Sequence, residues 1–144
     1  MSKNFIAAVA AVALAGPASA DQLVFSAEKA GGARVAALDY VSEGTATAFE
    51  FRINVPGGDA ASVDLSRCVS SLPKSHVGQC SFVKGQIIGI VYSDTNELLP
   101  KGVLPIGQIS VVTKAVGDLS VALFNAVDKA GESISSTVAD AATK

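Results

Sequence analysis

The run Phe49-Glu50-Phe51-Arg52-Ile53-Asn54-Val55 alternates apolar and polar residues without a fault. Successive side chains of a strand point to opposite faces. The run therefore predicts a strand over 49–55, with Phe49, Phe51, Ile53 and Val55 on one face and Glu50, Arg52 and Asn54 on the other. Pro56-Gly57-Gly58-Asp59 ends it with turn chemistry. Period two recurs along most of the chain. Residues 22–25 and 34–40 are short strand candidates separated by Ala30-Gly31-Gly32, and 61–65, 86–93 and 107–113 are apolar or β-branched runs. Residues 98–105 read as a connection bounded by Pro and Gly.

Residues 115–138 carry two periods at once. Val116, Leu119, Leu123, Val127, Ala130, Ile134 and Val138 recur at helical spacing, with Asp118 as a cap. Gly131 would then sit inside the helix, at a cost near 1 kcal/mol. Leu119, Val121 and Leu123 also alternate as a strand, with a turn over 128–132 and a second arm over 133–138. The hairpin is the favoured of the two readings. Eight or nine short strands with a turn every eight to twelve residues, roughly, predict a β-sandwich of two packed sheets.

The first twenty residues, MSKNFIAAVAAVALAGPASA, read as a secretory leader. Lys3 supplies the positive end, residues 5–15 are an apolar core, and Ala18-Ser19-Ala20 is the small-residue pattern before a cut at Ala20–Asp21. The apolar core falls short of the ~20 residues of a membrane-spanning helix. The expected organisation is a leader over 1–20, one β domain over 21–138 and a frayed tail over 139–144. The chain is expected to be exported, to the periplasm, the cell surface or the medium.

Cleavage leaves about 120 residues, enough for one domain with a real core. The full chain carries a net charge of −2, and loss of Lys3 makes it more acidic. A mild acidic balance argues against nucleic acid, whose phosphates need a basic patch. Two cysteines, Cys68 and Cys80, remain in an oxidising compartment and are expected to form a disulfide. The segment between them, VSSLPKSHVGQ, reads as a mobile loop. A metal site built from Cys68, His76 and Cys80 lacks a fourth ligand.

The order of these pieces resembles the cohesin domain, a nine-stranded, jelly-roll-like sandwich. Four stretches carry the likeness: VFSAEKAGGARVAALDY, TATAFEFRINVP, KGQIIGIVYSDTNELLPKGVLPIGQISV and LSVALFNAVDKAGESI. The last is similar to the terminal cohesin hairpin, with Asn125 and Val127 before its turn. Carbohydrate-binding sandwiches share much of this pattern. The resemblance implies a non-catalytic module that binds a protein, a dockerin-like partner carrying its own calcium. A tandem scaffold with linkers does not fit the single domain seen here, and an internal disulfide is not a feature we associate with the family.

No catalytic motif stands out. The sequence has no Gly-x-Ser-x-Gly, phosphate-binding Gly loop or His-Glu-x-x-His, and no carboxylate pair is identifiable. His76, the single His, is expected to be solvated; Ser75 beside it has no reason to aim at its ring. Asp94 and Glu97 share a loop but fall short of the roughly six to eight oxygens of a calcium site. No catalytic residue, cofactor or metal is expected. For binding, Glu50, Arg52 and Asn54 are candidates on the polar face of their strand, and Tyr92 is a candidate anchor. Residues 86–93 are apolar on both faces, as in a covered central strand or in one with an exposed sticky face. Polysaccharide is the competing ligand, with Tyr40 and Tyr92 as its aromatic platform. A subunit role in an envelope or surface assembly, through a free edge strand, is a further alternative.

Overall fold

The computed structural model describes residues 20–140. Apart from Ala20, the expected leader lies outside these residues, as does the end of the tail. Ten strands occur among the described residues: β1 (Asp21–Ala30), β2 (Ala33–Ser42), β3 (Ala48–Asn54), β4 (Ser62–Asp64), β5 (Val77–Val83), β6 (Gln86–Tyr92), β7 (Gly102–Val112), β8 (Ser120–Val127), β9 (Ser133–Ile134) and β10 (Ser136–Asp140). They form two five-stranded sheets, ordered β10-β1-β2-β7-β4 and β5-β6-β3-β8-β9. The all-β sandwich read from the sequence is the fold observed.

The core lies between the sheets. Leu23, Phe25, Leu38 and Tyr40 from the first sheet meet Phe49, Phe51, Ile53, Ile87 and Val91 from the second, all buried. Tyr40 stacks obliquely on Phe49 with ring centres 4.5 Å apart and meets Phe124 edge-on at 5.6 Å. Such tilted and edge contacts suit the ring quadrupoles. Arg34, also buried, donates from Nε and Nη2 to the carbonyls of Gly117 and Ala115 at 2.8 and 3.0 Å. It thereby ties the loop before β8 to β2.

Several expectations need correction. β1 and β2 are longer than the 22–25 and 34–40 runs and pair from Gln22↔Val41 to Ala30↔Ala33. Their outer halves mix small and charged residues, which hides the alternation. Residues 98–105 are not all connection, because β7 begins at Gly102. Its Pro105 is tolerated because the register shifts between Leu38 and Asp39, which leaves Ile106 as an extra residue. The C-terminal hairpin exists, with Ala126↔Ile134 paired. The stretch read as one arm, 133–138, splits after Ile134, and β10 crosses to pair in parallel with β1. This strand runs on to Asp140, so Ala139 and Asp140 belong to the sheet and not to a frayed tail.

Cys68 and Cys80 are bonded, with Cα atoms 6.4 Å apart. Closing a loop of this size contributes about 3 kcal/mol, mainly by restricting the unfolded chain. The segment they bracket is irregular over 69–76, as expected of a loop, but it enters β5 at Val77 and is fastened to β7 by Ser71 N–H to Ile106 O (3.0 Å), with Gln108 N–H to Arg67 O (2.9 Å) just before Cys68. His76 is only 4% exposed, contrary to its expected solvation. One ring nitrogen, Nε2, lies 3.0 Å from Thr47 O and the other, Nδ1, 2.8 Å from Ser75 Oγ. The neighbouring Ser does aim at the ring. The far nitrogen meets a backbone carbonyl in place of an acid, so the pair pins the start of β5 to the segment before β3.

Asp21, first residue of β1, is buried. Its carboxylate accepts hydrogen bonds from Tyr40 Oη and from Glu43 N–H, and its own N–H donates to Ser135 O at 3.0 Å. Burial first, then the hydrogen bond to Asp21 and the Asp21 charge, push the Tyr40 phenol well above its ordinary range. The folded state therefore holds the protonated phenol. Its contribution is complete below the ordinary Tyr value of about 10 and is lost above it, by up to about 1.4 kcal/mol per pH unit. Denaturant melts across alkaline pH should show wild type more stable than Tyr40→Phe near neutrality, with the gap closing above pH ~10. A gap constant with pH would contradict this assignment.

Candidate partner-binding face

β3 is the middle strand of the second sheet, between β6 and β8. Its inward residues are held in the core, which fixes the outward direction of Glu50, Arg52 and Asn54. Cross-strand register then sets their neighbours. One outward row runs Leu123, Arg52, Ile88, Ser81 across β8, β3, β6 and β5. The next row runs Asn125, Glu50, Ile90, Gln79. Tyr92 follows Ile90 on the same face of β6, opposite Val77.

The sequence left open whether residues 86–93 are covered on both faces. They are not. Ile87 and Val91 are buried, whereas Ile90 and Tyr92 are 42% and 45% exposed, and Leu123 across the sheet is 39% exposed. Ile90 and Tyr92 form an exposed apolar strip along β6, and Leu123 lies on the same face beyond the Arg52–Glu50 pair of β3, with no layer over them among the described residues. Exposed apolar groups gathered in this way mark interaction surfaces more often than scattered ones do.

The charges on this face are matched. Arg52 Nε donates to Glu50 Oε2 at 2.8 Å, and both side chains are partly exposed. In solvent such a pair contributes little to stability. It leaves the strip electrically neutral, with fixed donors and acceptors beside Ile88 and Ile90. Asn54 accepts from Gln86 Nε2 at 2.8 Å. Thus all four sequence candidates, Glu50, Arg52, Asn54 and Tyr92, share one sheet face. Leu123, Val77, Gln79 and Ser81 were not identified from the sequence. Residues 77–79 read as loop, and Leu123 read as sharing a face with Leu119 and Val121; the strand order, and the register shift that leaves Ala122 extra between Val121 and Leu123, bring them to this face.

The outer face of the other sheet differs. A groove of about 350 Å³ is lined by Asp64, Ser66, Arg67, Gln108 and Ser110, with Val35 and Ile109. Ser66 donates to Asp64 Oδ1 from both its N–H and Oγ, and these bonds hold the exposed Asp64 carboxyl below its usual range. No aromatic ring lines this groove. The aromatic platform expected for polysaccharide does not form either, because Tyr40 is fully buried while Tyr92 is exposed. In the loop holding Asp94 and Glu97, Thr95 Oγ1 donates to the Glu97 carboxylate at 2.6 Å. No helix of the described residues is long and apolar enough to cross a membrane.

No protein-family model and no curated protein sequence matches the chain. Solved structures do. A type I cohesin from a Clostridium thermocellum cohesin–dockerin complex superposes with a TM-score of 0.58 at 14% identity, over 86% of this chain and 92% of that one. A non-cellulosomal cohesin of the archaeon Archaeoglobus fulgidus gives 0.58 at 11% identity, over 85% and 88%. A type II cohesin of Bacteroides cellulosolvens gives 0.56 at 7%, over 81% and 94%. The fold is that of a cohesin module.

Proposed function

We propose that this cohesin-fold domain is an exported, non-catalytic module that recognises a protein partner through the outer face of β8-β3-β6-β5. The exposed apolar strip of Ile90 and Tyr92 on β6, with Leu123 on the same face across the Arg52–Glu50 pair, is the observation that carries the reading. A central aliphatic residue and a Tyr can be desolvated by a partner at low conformational cost, and Tyr keeps its hydroxyl at the rim. Glu50, Arg52 and Asn54 supply the polar contacts that fix orientation. The similarity to cohesins, one of them solved with its dockerin, supports a folded protein as ligand, in the manner of a dockerin module with its own calcium. Polysaccharide is disfavoured because the face offers one exposed aromatic ring.

Immobilised residues 21–144 test the proposal when incubated with envelope and secreted fractions, in calcium and in chelator. Capture of a defined protein in calcium, lost in chelator, is the expected result. Capture unaffected by chelator would remove the calcium-dependent mode and favour assembly. Binding only to glycan would overturn the protein-partner reading.

A further inference from the structure

The two sheets have four edge strands among the described residues, and three of them are shorter than the fourth, two of these carrying a charge. β9 spans two residues, β4 spans three and carries Asp64, and β10 ends in Asp140. Short length and charge are the usual means of blunting an edge. The fourth edge, β5, has neither. Its sequence, VGQCSFV, runs for 7 residues without a charge, a Pro or a bulge. It pairs with β6 alone, and no backbone hydrogen bond of the described loops reaches it. The Cys68 segment meets it from the inner side: Leu72 lies beneath Gly78, and Cys68 bonds Cys80.

We propose that β5 is a self-pairing edge through which two copies of this chain join in an antiparallel, two-fold dimer. The β5–β6 hairpin sets the geometry. Its two-residue turn, Lys84-Gly85, has positive φ at both positions (51° and 77°), as a type I′ turn requires. The flanking pair, Val83 and Gln86, exchanges hydrogen bonds, so Val77, Gln79, Ser81 and Val83 spend their backbone groups on β6. Gly78, Cys80 and Phe82 then direct theirs to the free edge. An antiparallel pairing centred on Cys80 sets Gly78 against Phe82 of the second copy and Cys80 against its own equivalent. Every free N–H and C=O of these residues gains a partner, the condition an isologous interface must meet. On the outward face the same register opposes Val77 with Val83 and Gln79 with Ser81. These are apolar and neutral polar pairs, with no charge to repel. Val77 and Val83 are both exposed in the single chain, and pairing covers them. The joined sheet sets two partner-binding faces side by side, so the dimer would be bivalent. This inference goes beyond the partner reading and stands without it.

Sedimentation of residues 21–144 over a concentration series tests it, with two double variants. Gln79→Lys with Ser81→Lys places like charges opposite each other twice in the dimer. It should weaken association about tenfold or more, with the melting temperature unchanged at concentrations low enough that both proteins are monomeric. Gln79→Lys with Ser81→Asp opposes unlike charges in the same register and should restore pairing. Wild type that stays monomeric at its highest soluble concentration would overturn the proposal. So would a Lys/Lys variant that associates as wild type does, or a Lys/Asp variant no better than Lys/Lys.

Discussion

Gly107→Ala is expected to destabilise the domain by about 3–5 kcal/mol, enough to leave a large unfolded fraction at moderate temperature. A Cβ at Gly107 would stand 2.2 Å from the carbonyl oxygens of both Arg67 and Cys68 and 2.5 Å from the Cys68 carbonyl carbon. These are backbone atoms, so no side chain can swing away to make room. The crowded segment is held on three sides: by the Gln108 N–H to Arg67 O bond, by the Ser71 N–H to Ile106 O bond, and by the disulfide to Cys80. Moving it breaks the hydrogen bonds or strains the link between the sheets. Gly32→Ala is the control, because its added Cβ meets nothing within 4 Å. It should change stability by no more than about 0.5–1 kcal/mol. Urea unfolding of both variants reads the difference. Equal effects at the two sites would show that the Cys68 segment does not press on β7 as described.

Much of the fold was legible because one face of most strands is buried, and burial writes period two into the sequence. Phe49 to Val55 is the clearest case. The missed features arise where tertiary contacts override local chemistry. Pro105 reads as a break until the bulge at Ile106 removes the need for its N–H. His76 reads as solvated among Ser, Pro, Lys and Gly. It is buried where the chain before β3 offers the Thr47 carbonyl to its ring. The split at Ser135 has no local signal, since a strand that changes sheets keeps the composition of a strand. Gly89, inside β6, sits where the Phe51 ring lies against the backbone.

The candidate face was half legible. Alternation within β3 and β6 told which residues share a side, and so gave Glu50, Arg52, Asn54 and Tyr92. It could not tell that β8 lies on the far side of β3 with a register shift that turns Leu123 onto this face, nor that the outer face of β6 is uncovered. Those facts depend on strand order, and strand order is a long-range property that no short window of sequence contains.

Ile90 sits in the middle of this face, flanked in register by Glu50 on β3 and Gln79 on β5. Central, desolvated residues dominate interface energies, and a Lys there would have to bury an unpaired charge. Ile90→Lys should therefore weaken partner binding by roughly 30- to 1,000-fold, equivalent to about 2–4 kcal/mol. The position is exposed in the free domain, so its melting temperature should stay close to that of wild type. Gln108→Lys, on the outer groove of the opposite sheet, should leave affinity unchanged. Titration of the captured partner against wild type, Ile90→Lys and Gln108→Lys is the most direct test of the account. Loss of affinity confined to Ile90→Lys is the predicted result. Full affinity in Ile90→Lys, or loss in Gln108→Lys alone, would contradict it and place recognition on the other sheet or at an edge.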